Sequence, residues 1–285
     1  MIAVALALTS AALFGAMTIA LRLALRRSRD ADVGALATAL VGFAVISVAA
    51  VATGARLDLE GALVFAVAGA MAPGISQLLF TFAIREAGAS RTSAITGTSP
   101  LFAVAIALLV LGEPFSAPLF VGALLIVAGG ALLVLEPDRP TDFRLFGIGL
   151  AAFGAVVFAV RDNYVRALSD DTQVDAFAAA AVAQFAGALV VLAYVLVTRR
   201  GRLPRPRGTL AFVPAGVLFG LSYLSLFEAY YRGRVSVVSP LVATESLWGV
   251  ALSAVVLRHS ELVGKSLAAG AVLIVAGGAL IGTFR

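Results

Sequence analysis

Ten apolar stretches occupy nearly the whole chain. They fall at roughly 2–25, 32–53, 60–84, 91–111, 117–135, 144–167, 175–198, 209–231, 235–257 and 265–284. Each is about long enough to cross ~30 Å of hydrocarbon at about 1.5 Å per residue. In lipid every backbone N–H and C=O needs a partner inside the protein, and a helix supplies one for nearly all of them. Composition agrees: of 285 residues 61% are hydrophobic and 13% charged, where a soluble domain carries about a quarter charged residues. The expectation is an all-α membrane protein with ten transmembrane helices, multi-pass in the cell membrane.

The formal net charge is +5, which on a soluble chain would raise the question of nucleic acid. Here the excess sits in short clusters between apolar runs, such as Arg26, Arg27 and Arg29, or Arg199, Arg200 and Arg202. That is the flanking pattern of the positive-inside effect, so no nucleic-acid partner is expected. Cysteine is absent and His259 is the one histidine, which removes disulfides, thiol chemistry and any Cys- or His-based metal cluster. No cofactor is expected. Met1 to Leu25 lacks a basic leading region, and its apolar stretch exceeds the 7–15 residues typical of a signal peptide. It reads as a retained first span. No connection is long enough to house a soluble domain, so the function lies within or across the bilayer.

Internal repetition is the most informative pattern. Ala123–Leu132 (ALLIVAGGAL) returns as Ala271–Leu280 (AVLIVAGGAL), displaced by 148. Phe14, Gly15, Ala20 and Arg22 return as Phe153, Gly154, Ala159 and Arg161, displaced by 139. Asp32 matches Asp175 at a displacement of 143, and Ser76, Ser93, Thr98 and Leu101 match Ser222, Ser239, Thr244 and Leu247 at 146. A displacement that grows along the chain is what lengthening loops between equivalent helices produce. The expected units are 1–135 and 144–285. Each contains an odd number of runs, so the second enters the membrane from the opposite side. The two five-helix repeats are therefore expected to be inverted, the architecture behind alternating access.

At these motifs the chain resembles the EamA-type branch of the drug/metabolite transporter superfamily. The first repeat reads Thr98, Ser99, Pro100, Leu101, Phe102, then Leu111, Gly112, Glu113, then Ile126 to Gly130. The second reads Thr244, Glu245, Ser246, Leu247, Trp248, then Leu257 to Glu261, then Ile274 to Gly278. It departs from the family pattern at Ser246, which stands where Pro is usual, and in two extra residues before Glu261. The resemblance spans essentially the whole chain. It implies a central cavity lined by runs 1, 3, 4, 6, 8 and 9, and the export of amino acids, other metabolites or drugs.

Polar residues at membrane depth are the candidate site. Glu245 lies near the middle of its run, where a charged carboxylate costs on the order of 2.5–3.5 kcal/mol. It is expected to face the interior, either as a proton-coupling group or as a packing residue holding the ninth helix, and its counterpart Ser99 stands beside Pro100. Gln77 and Tyr223 are repeat equivalents that either contact solute or bond between helices. Glu228 either lines the pocket or pairs locally with Arg232 four residues on. Phe102 and Trp248, also equivalents, either wall the cavity or belong to the core. Arg22, Arg161 and Asp162 end apolar stretches, where snorkelling to the headgroups is the default. Pro73, Pro100 and Pro240 free carbonyls that must find a protein partner or a water-lined cavity. The pairs Gly129–Gly130 and Gly277–Gly278 read as close helix contacts.

Basic residues concentrate in the connections between runs 1–2 and 7–8, with further ones in 3–4 and 9–10, all on one face. The charge count puts both termini outside the cytoplasm, although relatives of the family often place both inside. Enzyme chemistry would need an aspartate pair, a metal site or an activated Ser, and a channel would need a continuous polar stripe; neither pattern is present. The expected function is secondary transport of a small solute, coupled to protons or another gradient. A non-transporting scaffold or accessory subunit is the alternative. The partners are the solute and the lipid bilayer, and a single chain is compatible with all of this.

Overall fold

The third apolar run does not form one helix. In the computed structural model, α3 (Leu59–Gly69) and α4 (Ser76–Ala87) flank a widened segment, Ala70–Ile75, in which Ala72 is extended at φ −140°, ψ 117°. Pro73 supplies the reason, since it has no N–H to donate and its ring crowds the preceding turn. The structure describes residues 2–28, 30–56, 59–99, 101–102, 106, 117–134, 144–171, 173–202, 206–233, 238, 241–257 and 264–283. Among the described residues there is no strand.

The other helices are α1 (Ile2–Arg27), α2 (Ala31–Ala52), α5 (Ala89–Thr96), α6 (Ala117–Val134), α7 (Leu145–Asp171), α8 (Ala176–Thr198), α9 (Val213–Arg232), α10 (Glu245–Leu252) and α11 (Lys265–Thr283). The junction of α4 and α5 is Gly88 at φ 92°, a left-handed conformation that glycine adopts without a Cβ penalty. Asp175 begins α8 by accepting the Phe177 N–H at 2.8 Å, the usual work of an N-cap carboxylate. Among the described residues six helical segments, the bent third run among them, are long and apolar enough to cross a membrane: Ile2–Arg27, Ala31–Ala52, Leu63–Ala87, Leu145–Val165, Ala176–Thr198 and Leu210–Arg232. Glu245–Leu257 and Lys265–Leu280 are apolar but shorter. Pro100, Pro240, His259 and the Leu111–Glu113 motif lie outside the described residues.

The helices associate in a reciprocal pattern. α1 packs on α9, α4 on α7, α2 on α8, α5 on α10 and α6 on α11. Exchanging the two sets of runs leaves this list unchanged. The α6–α11 contact shows it atom by atom. A Cβ on Gly129 would lie 2.6 Å from the Gly270 carbonyl oxygen, and one on Gly277 would lie 2.5 Å from that of Gly122. Each glycine thus meets the repeat counterpart of its partner's neighbour, and the two helices run antiparallel. Small residues do the same elsewhere: Ala178, Ala179, Ala180 and Ala183 of α8 are all at most 1% exposed. Such stripes let backbones approach closely where water supplies no hydrophobic drive between helices.

One charged contact closes an end of the bundle. Arg199, just past α8, donates from Nη2 to Asp32 Oδ1 at 2.9 Å and lies 3.4 Å from Asp30 Oδ1. The hydrogen bond to Asp32 lifts the guanidinium further above its ordinary value. The connections after the first and seventh runs therefore meet at the same end, as their shared basic character suggests.

A side chain on either α6–α11 glycine must push the helices apart. Gly129→Val and Gly277→Val are each expected to destabilise the protein by about 1–3 kcal/mol. The measurement is the midpoint of thermal unfolding in detergent, and an unchanged midpoint would contradict the close contact.

Candidate functional site

The bend at Ala72 leaves a carbonyl without its helical donor, deep in the bundle. The donor comes from the other half of the chain: Tyr223 Oη gives its proton to Ala72 O at 2.7 Å. Tyr223 is 3% exposed, and its ring lies 4.9 Å from Phe227 and 5.7 Å from Phe219. A second clasp lies close by between α1 and α9. Ser10 Oγ donates to Ser222 O and Ser222 Oγ donates to Ser10 O, each at 2.9 Å. These bonds fix the walls of a central cavity.

That cavity has a volume of about 40 Å³, which is room for a few waters. Its walls come from α1, the bend and α4, Ser99 after α5, α7, α9, and the start of α10. They include Ser10, Phe14, Ser76, Gln77, Ser99, Arg161, Asp162, Tyr223 and Glu245. Three ionisable groups therefore face one small space. Arg161 Nε is 2.9 Å from Asp162 Oδ1, and both groups lie within electrostatic reach of Glu245. Arg161 is 4% exposed, with its guanidinium carbon 5.4 Å from the centre of the Tyr223 ring and 5.7 Å from that of Phe158. Aromatic faces of this kind attract a desolvated cation. Its Nε and Nη1 are both buried without a hydrogen-bond acceptor; Nε faces Asp162 as an ion pair, and Nη1 is the donor left in reserve.

Gln77, Ser99, Tyr223 and Glu245 thus come together around the cavity, with Gln77 Nε2 3.4 Å from Thr81 Oγ1. Glu228, Phe102 and Trp248 are not among the lining residues. Glu228 pairs with Arg232 one turn on. Trp248 is 43% exposed on the outer surface, its Cβ set where Gly15 leaves no room for a side chain.

The snorkelling expected of Arg22 and Arg161 is corrected. Arg22 is 6% exposed and donates to Ile84 O at 3.1 Å, while Arg161 lines the cavity. Each arginine lies near the end of its apolar run, but the helix continues past it: α1 runs to Arg27 and α7 to Asp171. Hydropathy marks where apolar residues end, not where the helix leaves the bundle. The signal that could have found Arg161 is its repeat partner, since an arginine at the same place in both halves argues for an interior role.

The EamA-like transporter family matches residues 1–135 and again 145–283. The chain belongs to the EamA-like transporter family. Members of the family are membrane transporters rather than enzymes, so this EamA-like chain is a multi-pass membrane protein built to bind a small molecule within the bilayer. No curated protein matches it. Nineteen chains of solved structures do. One, described only as a crystal structure of a protein, has a TM-score of 0.68 over 98% of this chain and 95% of its own, at 21% identity. At that identity the likeness speaks for the fold.

Removing the Tyr223 hydroxyl strands the Ala72 carbonyl. Tyr223→Phe is expected to cost about 1–3 kcal/mol, measured as a lower unfolding midpoint, with the secondary structure by circular dichroism unchanged.

Proposed function

We propose that this EamA-like protein is a secondary transporter that exports a small solute across the cell membrane by alternating access. In this reading residues 1–135 and 144–285 are inverted five-helix repeats around a shared midplane site. The antiparallel α6–α11 contact and the reciprocal helix partnerships support the inverted arrangement. The direction rests on the family resemblance.

The observation that carries the site is the trio Arg161, Asp162 and Glu245 around one cavity. Arg161 and Asp162 compensate each other at 2.9 Å, which leaves Glu245 as the group of the three without an ion pair among the described residues. A bare carboxylate at that depth costs on the order of 2.5–3.5 kcal/mol. A proton removes the cost, and so does a cationic group on the solute. Competition between the two at Glu245 couples solute movement to a proton gradient without ATP. The spare Arg161 donor suits a carboxylate on the same solute. The site therefore favours small amines and zwitterions, amino acids among them. Gln77, Ser99, Pro100 and Tyr223 complete the proposed binding set.

The cavity is too small for such a solute as it stands. Entry requires the walls to part, in keeping with an occluded conformation.

The test is flux into proteoliposomes against a panel of amino acids and cationic dyes, with and without an imposed pH gradient. Glu245→Gln is expected to abolish gradient-driven accumulation, and Arg161→Gln to raise the half-saturating concentration of zwitterions at least tenfold. Wild-type vesicles that move no solute by gradient or exchange would favour the scaffold reading. A Glu245→Gln variant with gradient-driven flux intact would end the coupling proposal.

A further inference from the structure

The α2–α8 seam is closed at one end and parted at the other. At the closed end Arg199 holds Asp32 and Asp30. Inward from it, Leu36 and Ala39 of α2 pack with Val191 and Val195 of α8, all at most 4% exposed. The helices cross where Gln184 Nε2 donates to Ala39 O at 3.1 Å and the rings of Phe43 and Phe185 stand 5.3 Å apart. Beyond the crossing they separate around an apolar groove of about 390 Å³, with Ser47 and Ala55 on one side and Ala178 and Val182 on the other.

The displacement that relates Asp32 to Asp175 also relates Arg56 to Arg199, Val48 to Val191 and Ala52 to Val195. Each closing contact therefore has a counterpart at the parted end. There Val48 is 70% exposed, against 0% for Val191. Asp175 caps its own helix through Phe177. Arg56 is exposed, and among the described residues no ion pair joins it to Asp175. The same residue types in the same register make a latch at one end and an open groove at the other.

We propose that Asp32–Arg199 and Arg56–Asp175 are alternative latches of one rocking seam, each locked in one of two conformations and released in the other. The proposal rests on the alternating-access reading above. The seam connects to the cavity without lining it. α2 grips α9, where a Cβ on Gly220 would lie 2.9 Å from Gly42 O, and α8 grips the α3–α4 bend, where one on Gly187 would lie 2.5 Å from Pro73 Cγ. Rocking α2 against α8 about the Gln184–Ala39 contact therefore moves Tyr223 relative to Ala72. Two discrete arrangements with interchangeable contacts are what a bistable element requires.

The chain has no cysteine, so introduced pairs report uniquely. Spin labels at Arg27→Cys with Arg200→Cys, both exposed, read the closed end, and at Thr53→Cys with Gln173→Cys the groove end, by double electron–electron resonance in proteoliposomes. Arg199→Glu is expected to lengthen the first distance and shorten the second, changing the population ratio roughly two- to five-fold, the scale of a partly exposed ion pair. Arg56→Glu should move both distances the other way, and Asp32→Arg with Arg199→Glu should restore the starting distribution, which separates a latch from a folding defect. Distances that change together, or a groove end indifferent to Arg199→Glu, overturn the latch. Solute flux in the same vesicles keeps the two readings apart. Flux without anticorrelated ends removes the latch alone, and anticorrelated ends without flux remove the transport reading alone.

Discussion

A helix broken inside hydrocarbon must pass its freed carbonyl to another part of the protein, and here Ala72 passes it to Tyr223. The bond joins the third run to the eighth and so ties the two halves at the level of the cavity. The hydroxyl and the carbonyl are both fixed by their own helices, so the geometry of the bend and that of α9 are mutually dependent. The cavity owes its walls to this dependence. Pro73 opens the backbone, Tyr223 closes the bond, and the space between them is where Arg161, Asp162 and Glu245 meet.

The rest of the bundle is organised to make that polar centre tolerable. Alanine and glycine seams bring α2, α6, α8 and α11 close to their neighbours, so the interior gains contact without large side chains. The charges are kept few and placed together. Arg161 has Asp162 beside it and aromatic faces around it, and Glu245 lines the same cavity. An ion pair buried for stability alone would gain little over a well-packed apolar substitute. Three ionisable groups around one cavity, with a spare donor among them, are the basis of the binding role proposed above.

Legibility in the sequence was uneven, for identifiable reasons. Hydropathy and length are enough to read helices such as Ile2–Arg27 and Ala176–Thr198, because the bilayer constrains both. Glu245 and Gln77 could be singled out because a polar group at that depth has few acceptable surroundings. Trp248 could not be placed, since an aromatic ring suits a lipid-facing surface and a cavity wall equally well. Arg161 was misplaced because an arginine near the end of an apolar stretch looks alike whether it snorkels outward or turns inward with its helix continuing past it.

By itself the sequence determined the solvent, the helical class, the duplication and the family, since each depends on residue type repeated at a spacing. The register between helices was decided only by tertiary structure. Which carbonyl Tyr223 would find, that Ser10 would clasp Ser222, and that Arg199 rather than Arg56 would hold its aspartate are matters of close approach between segments far apart in the chain. Apolar periodicity faces a helix inward but says nothing about how far it slides or tilts against its neighbour, and at this site those few ångströms set the chemistry.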